Sequence, residues 1–375
     1  MGEQRMELGA TAGPLTGQGG ESPEPQLVCV GDYQRAAGRL GARAAAYLNG
    51  AAADEHTARW NCDRLAAHRL LPRVCVDVGR LDTSVNLLGT PMAAPVFLSP
   101  TAGHRMFHPD GELAAAEGAA AAGLLWTVST LASLSLEDFA EFAPGPFWFQ
   151  LYIQRDRDFT ADLVRRAARA GARAVVLTVD APAEPLRDAE RRSGLTLPRS
   201  WRPTNLRGAA PAAGDTAGIY GSWADPAVTW SDVRWLAGLC PVPVVVKGIL
   251  RDDDARRAVE HGAGAVLVSN HGGRTVDTAL ATVDALPGVV AAVADRVPVL
   301  VDGGVRRGTD ILKALALGAT AVGIGRPYLW GLAVGGAGGV QHVCELLRRE
   351  LEITMALCGA PALAQVTADL VLRPS

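Results

Sequence analysis

PVLVDGGVRRGTDILKALALGATAVGIGRP, residues 298–327, carries the alternation that decides the fold. The apolar run PVLV ends at Asp302 and two glycines. GTDILKALALG follows, with apolar residues at helical spacing, and then comes a second apolar run that ends at Arg326. This is a strand, a helix and the next strand, and strands joined in that way lie parallel. Working outward, strand-type runs recur back to Pro95: PVFLSPT (95–101), LLWTVST (124–130), PFWFQLY (146–152), AVVLTVD (174–180), PVVVKG (243–248) and AVLVSNH (265–271), before PVLVDGG (298–304) and AVGIGRP (321–327). They are continuously apolar, as strands buried on both faces must be. Helix candidates such as GELAAAEGAAAAG, TADLVRRAARAG and DDDARRAVEHG lie between them, with glycine where a left-handed C-cap would stand. Eight alternations predict an α/β fold, a TIM (β/α)8 barrel. An open doubly wound sheet competes, although no G-x-G-x-x-G follows the first strand.

The barrel predicts one domain over residues 27–375, with residues 30–90 forming an N-terminal extension of helices and turns and residues 183–235 a Pro-, Gly- and Arg-rich, lid-like insertion after strand four. The Gly- and Pro-rich residues 1–26 read as a disordered tail without the apolar core of a secretion signal. A hydrophobic content of 49% provides for a large core. With 36 basic against 39 acidic residues, no cationic excess points to nucleic acid or a membrane. Six scattered cysteines without a C-x-x-C pair fit neither a zinc module nor a disulfide scaffold, and suit the cytoplasm; no metal site is expected.

In such a barrel, catalytic groups gather where strands end. The runs here end in Thr101, Ser129, Gln150 with Tyr152, Thr178 with Asp180, Lys247, His271, Asp302 and Arg326, which describes a polar cup at one mouth. Lys247 is one of only two lysines, so a compact point charge has been kept where arginine otherwise prevails. His271 can take a proton near neutral pH, with Asp180 as the natural carboxylate to orient it, and Arg274 can offer a fork to a substrate carboxylate. The blander alternatives are a hydrogen-bonded core histidine, a surface arginine and a rim lysine; His56, His68, His104, His108, His261 and His342 are read in that bland way. The glycines of DGGVRRG and GIGRP, with Arg306 and Arg326, predict a phosphate site after strands seven and eight, or else simply tight turns.

VSNHGGR, LVDGGVRRGTDILKALALG, VGIGRP, SPTAGHRMFHPDGE, WFQLYI, LTVDAP and VVVKGI together resemble the FMN-dependent 2-hydroxy acid oxidase and dehydrogenase family, which includes glycolate oxidase, lactate oxidase, mandelate dehydrogenase and flavocytochrome b2. The resemblance runs from about Asp32 to Thr367 and implies FMN and oxidation of an (S)-2-hydroxy acid to the 2-oxo acid. By position, it implies that His271 takes the substrate's proton while Asp180 holds it, that Arg274 and Arg187 clamp the carboxylate, and that Tyr47 and Tyr152 contact substrate oxygens. Lys247 would face the flavin N1/O2 edge, and Thr101, Ala102, Ser129, Gln150 and Thr178 would line the ring. Ser269 would reach the cofactor tail, Asp302 and Gly304 would hold the ribityl chain, and Arg306, Gly325 and Arg326 would hold the phosphate. Homotetramers are common in the family.

The chain departs from the family pattern in four places. Pro185-Leu186-Arg187-Asp188 stands for G-R-R-E, and Thr275 to Leu280 replaces Q-L-D-G-A-P after the HGGR motif. Leu131 occupies the place of a tryptophan found in glycolate oxidases, and Leu48 that of a second tyrosine. None of these removes a catalytic group, and an aromatic wall reduced to leucine leaves room for a substrate larger than glycolate, an aryl acid such as a mandelate or a biosynthetic 2-hydroxy acid. The expected electron acceptor is O2, with H2O2 formed. A dehydrogenase using another acceptor, a flavin-dependent isomerase of a prenyl diphosphate and a non-catalytic flavin binder are the competing readings.

Overall fold

The structure, a computed structural model, describes residues 26–195, 203–207 and 224–374. Its eight parallel strands are β1 (Val96–Leu98), β2 (Leu125–Ser129), β3 (Phe147–Leu151), β4 (Val175–Thr178), β5 (Val244–Ile249), β6 (Ala265–Val268), β7 (Val299–Asp302) and β8 (Ala321–Ile324). They close into a barrel in which β8 pairs with β1 through Val322 opposite Val96. Closure excludes the open doubly wound sheet and leaves the barrel itself without an edge strand. The strands are short, three to six residues, and every residue in them is buried except Gly248.

That burial has two sides, which explains the continuous apolar runs. One set of side chains, including Phe97, Trp148, Val245, Leu267 and Leu300, fills the barrel interior. The alternate set, including Val96, Trp126, Phe149, Val246 and Val301, packs outward beneath the helices. A hairpin, Val85–Leu87 with Thr90–Met92, adds Leu87 and Met92 to the interior layer and so plugs it. The sequence reading of residues 30–90 as helices and turns missed this hairpin, because its arms are only three residues long. The extension otherwise consists of helices Val30–Ala37, Ala42–Asn49 and His56–Ala67.

Of the expected tail, residues 1–25 lie outside the described residues, as do 196–202 and 208–223 of the expected lid. The described parts of that insertion include the helix Asp188–Arg192 and the turn Thr204–Leu206. Asn205 is fully buried, accepting from the Leu136 amide (2.9 Å) and donating to the Leu134 carbonyl (3.0 Å). This stretch is therefore stitched to the loop after β2.

The last long helix, Arg326–Leu357, starts at the barrel mouth and changes direction at Gly335 and Gly336, where the backbone is not helical. The two limbs meet at Gly331 and Gly339. A Cβ at Gly331 would lie 2.5 Å from the Gly339 carbonyl oxygen, and one at Gly339 only 2.1 Å from the Gly331 carbonyl oxygen. Both obstacles are backbone, so neither can swing aside. Gly331→Ala is expected to cost about 3 kcal/mol or more through overpacking, a fall of roughly 4 °C or more in melting temperature. A thermal melt within a degree of the parent would refute the crossing.

Candidate active site

The polar ends of neighbouring strands form a hydrogen-bonded belt. Ser129 Oγ donates to Gln150 Oε1 at 3.1 Å, and Gln150 Nε2 donates to Thr178 Oγ1 at 3.1 Å, across β2, β3 and β4. Thr178 is in register with Lys247 on β5, whose ammonium is buried 3.9 Å from Asp302 Oδ2 at the end of β7. Ser99 Oγ donates to the same Asp302 oxygen at 3.1 Å. Asp302 Oδ1 is buried with no hydrogen-bond partner among the described residues, so this carboxylate presents an unused acceptor beside the cleft.

After β6, the strand between Lys247 and Asp302 in the barrel, His271 Nδ1 lies 3.0 Å from Asp180 Oδ1. Burial and the nearby Lys247 charge push the imidazole below its ordinary value, against the pull of Asp180, and His271 is neutral near pH 7. Burial alone would raise Asp180, but His271 and Lys247 outweigh it and keep the carboxylate ionised. An ionised acceptor fixes the proton on Nδ1 and leaves the Nε2 lone pair free to act as a base. Gly248 makes room for this pair. It sits at φ 108° in a bulge between Lys247 and Ile249, and a Cβ there would be 2.6 Å from Asp180 Cβ. His271 itself adopts φ 58°, a strained conformation for a residue other than glycine. It is held there because its amide donates to Ser269 Oγ (3.1 Å) and its ring to Asp180.

Two guanidinium groups flank the histidine. Arg274 Nη1 donates to the carbonyls of Tyr47 (2.8 Å) and Gly50 (2.6 Å), and Nη2 donates to Glu190 Oε1 (2.7 Å). Three of its five donors are thereby committed and two remain, the number a carboxylate takes in bidentate fashion. Its guanidinium carbon lies 4.9 Å from the centroid of the Tyr47 ring. Arg187 Nη1 donates to Glu190 Oε2 at 3.3 Å. Burial raises the phenols of Tyr47 and Tyr152, so both remain protonated donors.

At the far end of the cleft, Arg306 and Arg326 stand half-buried near each other, and neither forms an ion pair with a carboxylate among the described residues. Burial first, then the charges of Arg274 and Arg306, pushes Arg326 down to about 9. Cations crowded together without counter-charge make a receptacle for an anion, and backbone at Gly303, Gly304 and Gly325 lines the same end. Gly304 is tight: a Cβ would stand 2.4 Å from the Asn61 carbonyl oxygen. Asn61 and Asn270 exchange reciprocal amide hydrogen bonds of 2.9 and 2.8 Å, so one side chain of the N-terminal extension braces both the HGGR turn and the glycines of the anion end.

Of the residues expected from sequence, Tyr47, Thr101, Ala102, Ser129, Gln150, Tyr152, Thr178, Arg187, Lys247, His271, Arg274, Asp302, Gly304, Arg306, Gly325 and Arg326 line one continuous cleft. Asp180 stands directly behind His271. Ser269 is fully buried, its hydroxyl accepting the His271 amide, and it is not among the residues that line the cleft. Glu190, Asn61 and Asn270 were missed, although Arg187 and Glu190 stand three residues apart at the start of a helix, the spacing of an ion pair.

A second buried network went unread. His104 Nδ1 lies 3.6 Å from Glu112 Oε1, Glu112 accepts from the Ser133 amide and hydroxyl, and His104 Nε2 contacts Thr101 Oγ1 and Tyr328 OH at 3.3 and 3.2 Å. Burial would raise Glu112, but His104 and Ser133 outweigh it and bring the carboxyl down to about 2. The network ties Thr101, on the cleft wall, to the loop carrying Leu131.

A sequence model described as FMN-dependent dehydrogenase matches residues 36–373. The chain is 48% identical over 331 residues to an L-lactate oxidase from Nostoc sp., covering 85% of this chain and 90% of that one. It is 44% identical over 354 residues to the peroxisomal (S)-2-hydroxy-acid oxidase of Oryza sativa subsp. japonica, covering 92% and 96%. The crystal structure of mandelate oxidase with (S)-2-phenylpropionate is similar at a TM-score of 0.84 and 39% identity, over 92% of this chain and 98% of that one.

Proposed function

Because the chain belongs to the FMN-dependent dehydrogenase family, and so is an FMN-dependent oxidoreductase acting on CH–OH, we propose that it oxidises an (S)-2-hydroxy acid with an apolar, aryl-sized side chain and passes the electrons to O2, forming H2O2. The residues present fit the cofactor. Arg306 and Arg326, cations without a carboxylate partner among the described residues, would hold the phosphate, and the unpartnered Oδ1 of Asp302 would accept from a ribityl hydroxyl. Thr101, Ala102, Ser129, Gln150 and Thr178 would line the ring, with Lys247 at its N1/O2 edge, where a fixed ammonium offsets accumulating negative charge. When bound, FMN would supply the acceptor for the two electrons and for the second of the two hydrogens that leave the substrate.

The chain's own residues do the rest. Arg274 and Arg187 bind the substrate carboxylate, and with it anchored, Tyr152 and His271 face the 2-hydroxyl side. His271 Nε2 takes a proton from the substrate, and Asp180 stabilises the imidazolium that results. The observation that carries this reading is the conjunction of an oriented neutral imidazole, backed by an ionised carboxylate, with a partly uncommitted arginine fork in one cleft. For the side chain, Leu131, Ala102, Pro182, Ala183 and Ala224 offer an apolar wall, which favours an aryl or alkyl group over hydrogen.

The test is anaerobic titration of the purified yellow protein with glycolate, lactate and mandelate, followed by mixing with oxygenated buffer. Bleaching of the flavin absorbance, strongest with mandelate, and rapid return of colour in O2 are expected. A protein that no 2-hydroxy acid bleaches overturns the substrate class, and one that bleaches but recolours only over many minutes overturns O2 as acceptor.

A further inference from the structure

Glu190 bridges the two arginines that the proposed function assigns to the substrate carboxylate, its Oε1 on Arg274 and its Oε2 on Arg187. It is largely buried, its side chain 13% exposed. The cleft's other cations are committed elsewhere: Lys247 stands beside Asp302, and Arg306 and Arg326 lie at the anion end. At the substrate end, therefore, two positive charges carry one resident negative charge, and a net single positive charge is left for an incoming anion. Beyond it the walls offer the apolar surface of Leu131, Ala102 and Ala183, and the carboxylate of Glu184. Among the described residues, no further cation lines the cleft.

Resting on the 2-hydroxy acid reading, we propose that Glu190 determines specificity by charge, trimming the arginine pair to accept one carboxylate and so restricting the enzyme to 2-hydroxy monocarboxylic acids. A second carboxylate on the substrate would find no uncommitted cation among the described residues, while the charges of Glu190, beside the arginines, and of Glu184, on the cleft wall, would oppose it. Like charges held within about 6 Å of each other at a partly buried site repel by more than tenfold in affinity. Glu190 is not a base in this scheme; it acts through Arg274 and Arg187.

Two measurements test it. With the wild-type holoenzyme, kcat/KM is compared for (S)-malate and for its 4-amide, which has the same shape but lacks the second charge. The amide is expected to be the better substrate by about tenfold or more. In parallel, Glu190→Gln is expected to raise the ratio of kcat/KM for malate over mandelate by about tenfold, while Glu190→Asp, which keeps the charge, leaves the ratio within about twofold. Equal turnover of malate and its amide by the wild type overturns the proposal even if the variants do not fold. So does a shift of the same size in both variants, which would mean that geometry and not charge is at work. A wild type that no monocarboxylic 2-hydroxy acid reduces would instead fail the function on which this rests.

Discussion

His271→Gln is expected to lower turnover of a 2-hydroxy acid by about 10³-fold, within the range of positioned acid–base groups, while the protein stays yellow. The amide side chain fills similar space, but it cannot take a proton at the place where the Nε2 lone pair stands, and the cleft residues proposed to hold FMN are untouched. The wild-type pH profile belongs to the same prediction. Burial and the Lys247 charge lower the His271 pKa, so the neutral base form predominates at neutrality. Activity is lost as pH falls through that depressed value, below the ordinary ~6.5; Asp180, itself lowered, stays ionised across that range. The acid limb of kcat/KM should disappear in the variant. An active His271→Gln enzyme, or a variant that keeps the limb, removes His271 from the role of base.

Arg274→Lys is expected to lower kcat/KM by roughly 10² or more, chiefly through KM, since a point charge cannot replace a fork. The structure makes this substitution harsher than charge conservation suggests. Arg274 ties down the carbonyls of Tyr47 and Gly50 with one nitrogen and Glu190 with another, and still has two donors left. Lysine has three donors in all. Whichever contacts it keeps, it abandons either the substrate or the anchor on the helix Ala42–Asn49 that positions Tyr47. The check is steady-state kinetics with mandelate across a hundredfold concentration range. A KM unchanged from wild type removes the carboxylate from Arg274.

Much of this was legible in the linear chain, for a physical reason. A barrel strand is buried on both faces, so it writes itself as an uninterrupted apolar run, and the first polar residue after the run marks the mouth. Gln150, Thr178, Lys247 and Asp302 all follow that rule, and Ser129 ends its strand after one earlier buried polar residue, Thr127. The interior plug did not, because Leu87 and Met92 come from arms too short to show a period. Nor did Asn61 and Asn270, which meet across 209 positions of sequence through neutral amides that leave no pattern of charge. The hydrogen bond from the His271 amide to Ser269 Oγ was not legible either, because proximity in sequence says nothing about which way a buried hydroxyl turns.

The backbone of His271 at φ 58°, with its amide and ring both tethered, means the imidazole has one orientation and cannot follow a substrate of different outline. All adjustment to a new molecule must then fall on the facing side, where Leu131 and Ala102 make no such bonds through their side chains. Laboratory evolution toward other acids would find its diversity on that facing side and mostly dead protein at residues 269–273, a division of labour between a rigid jaw and a tailored one.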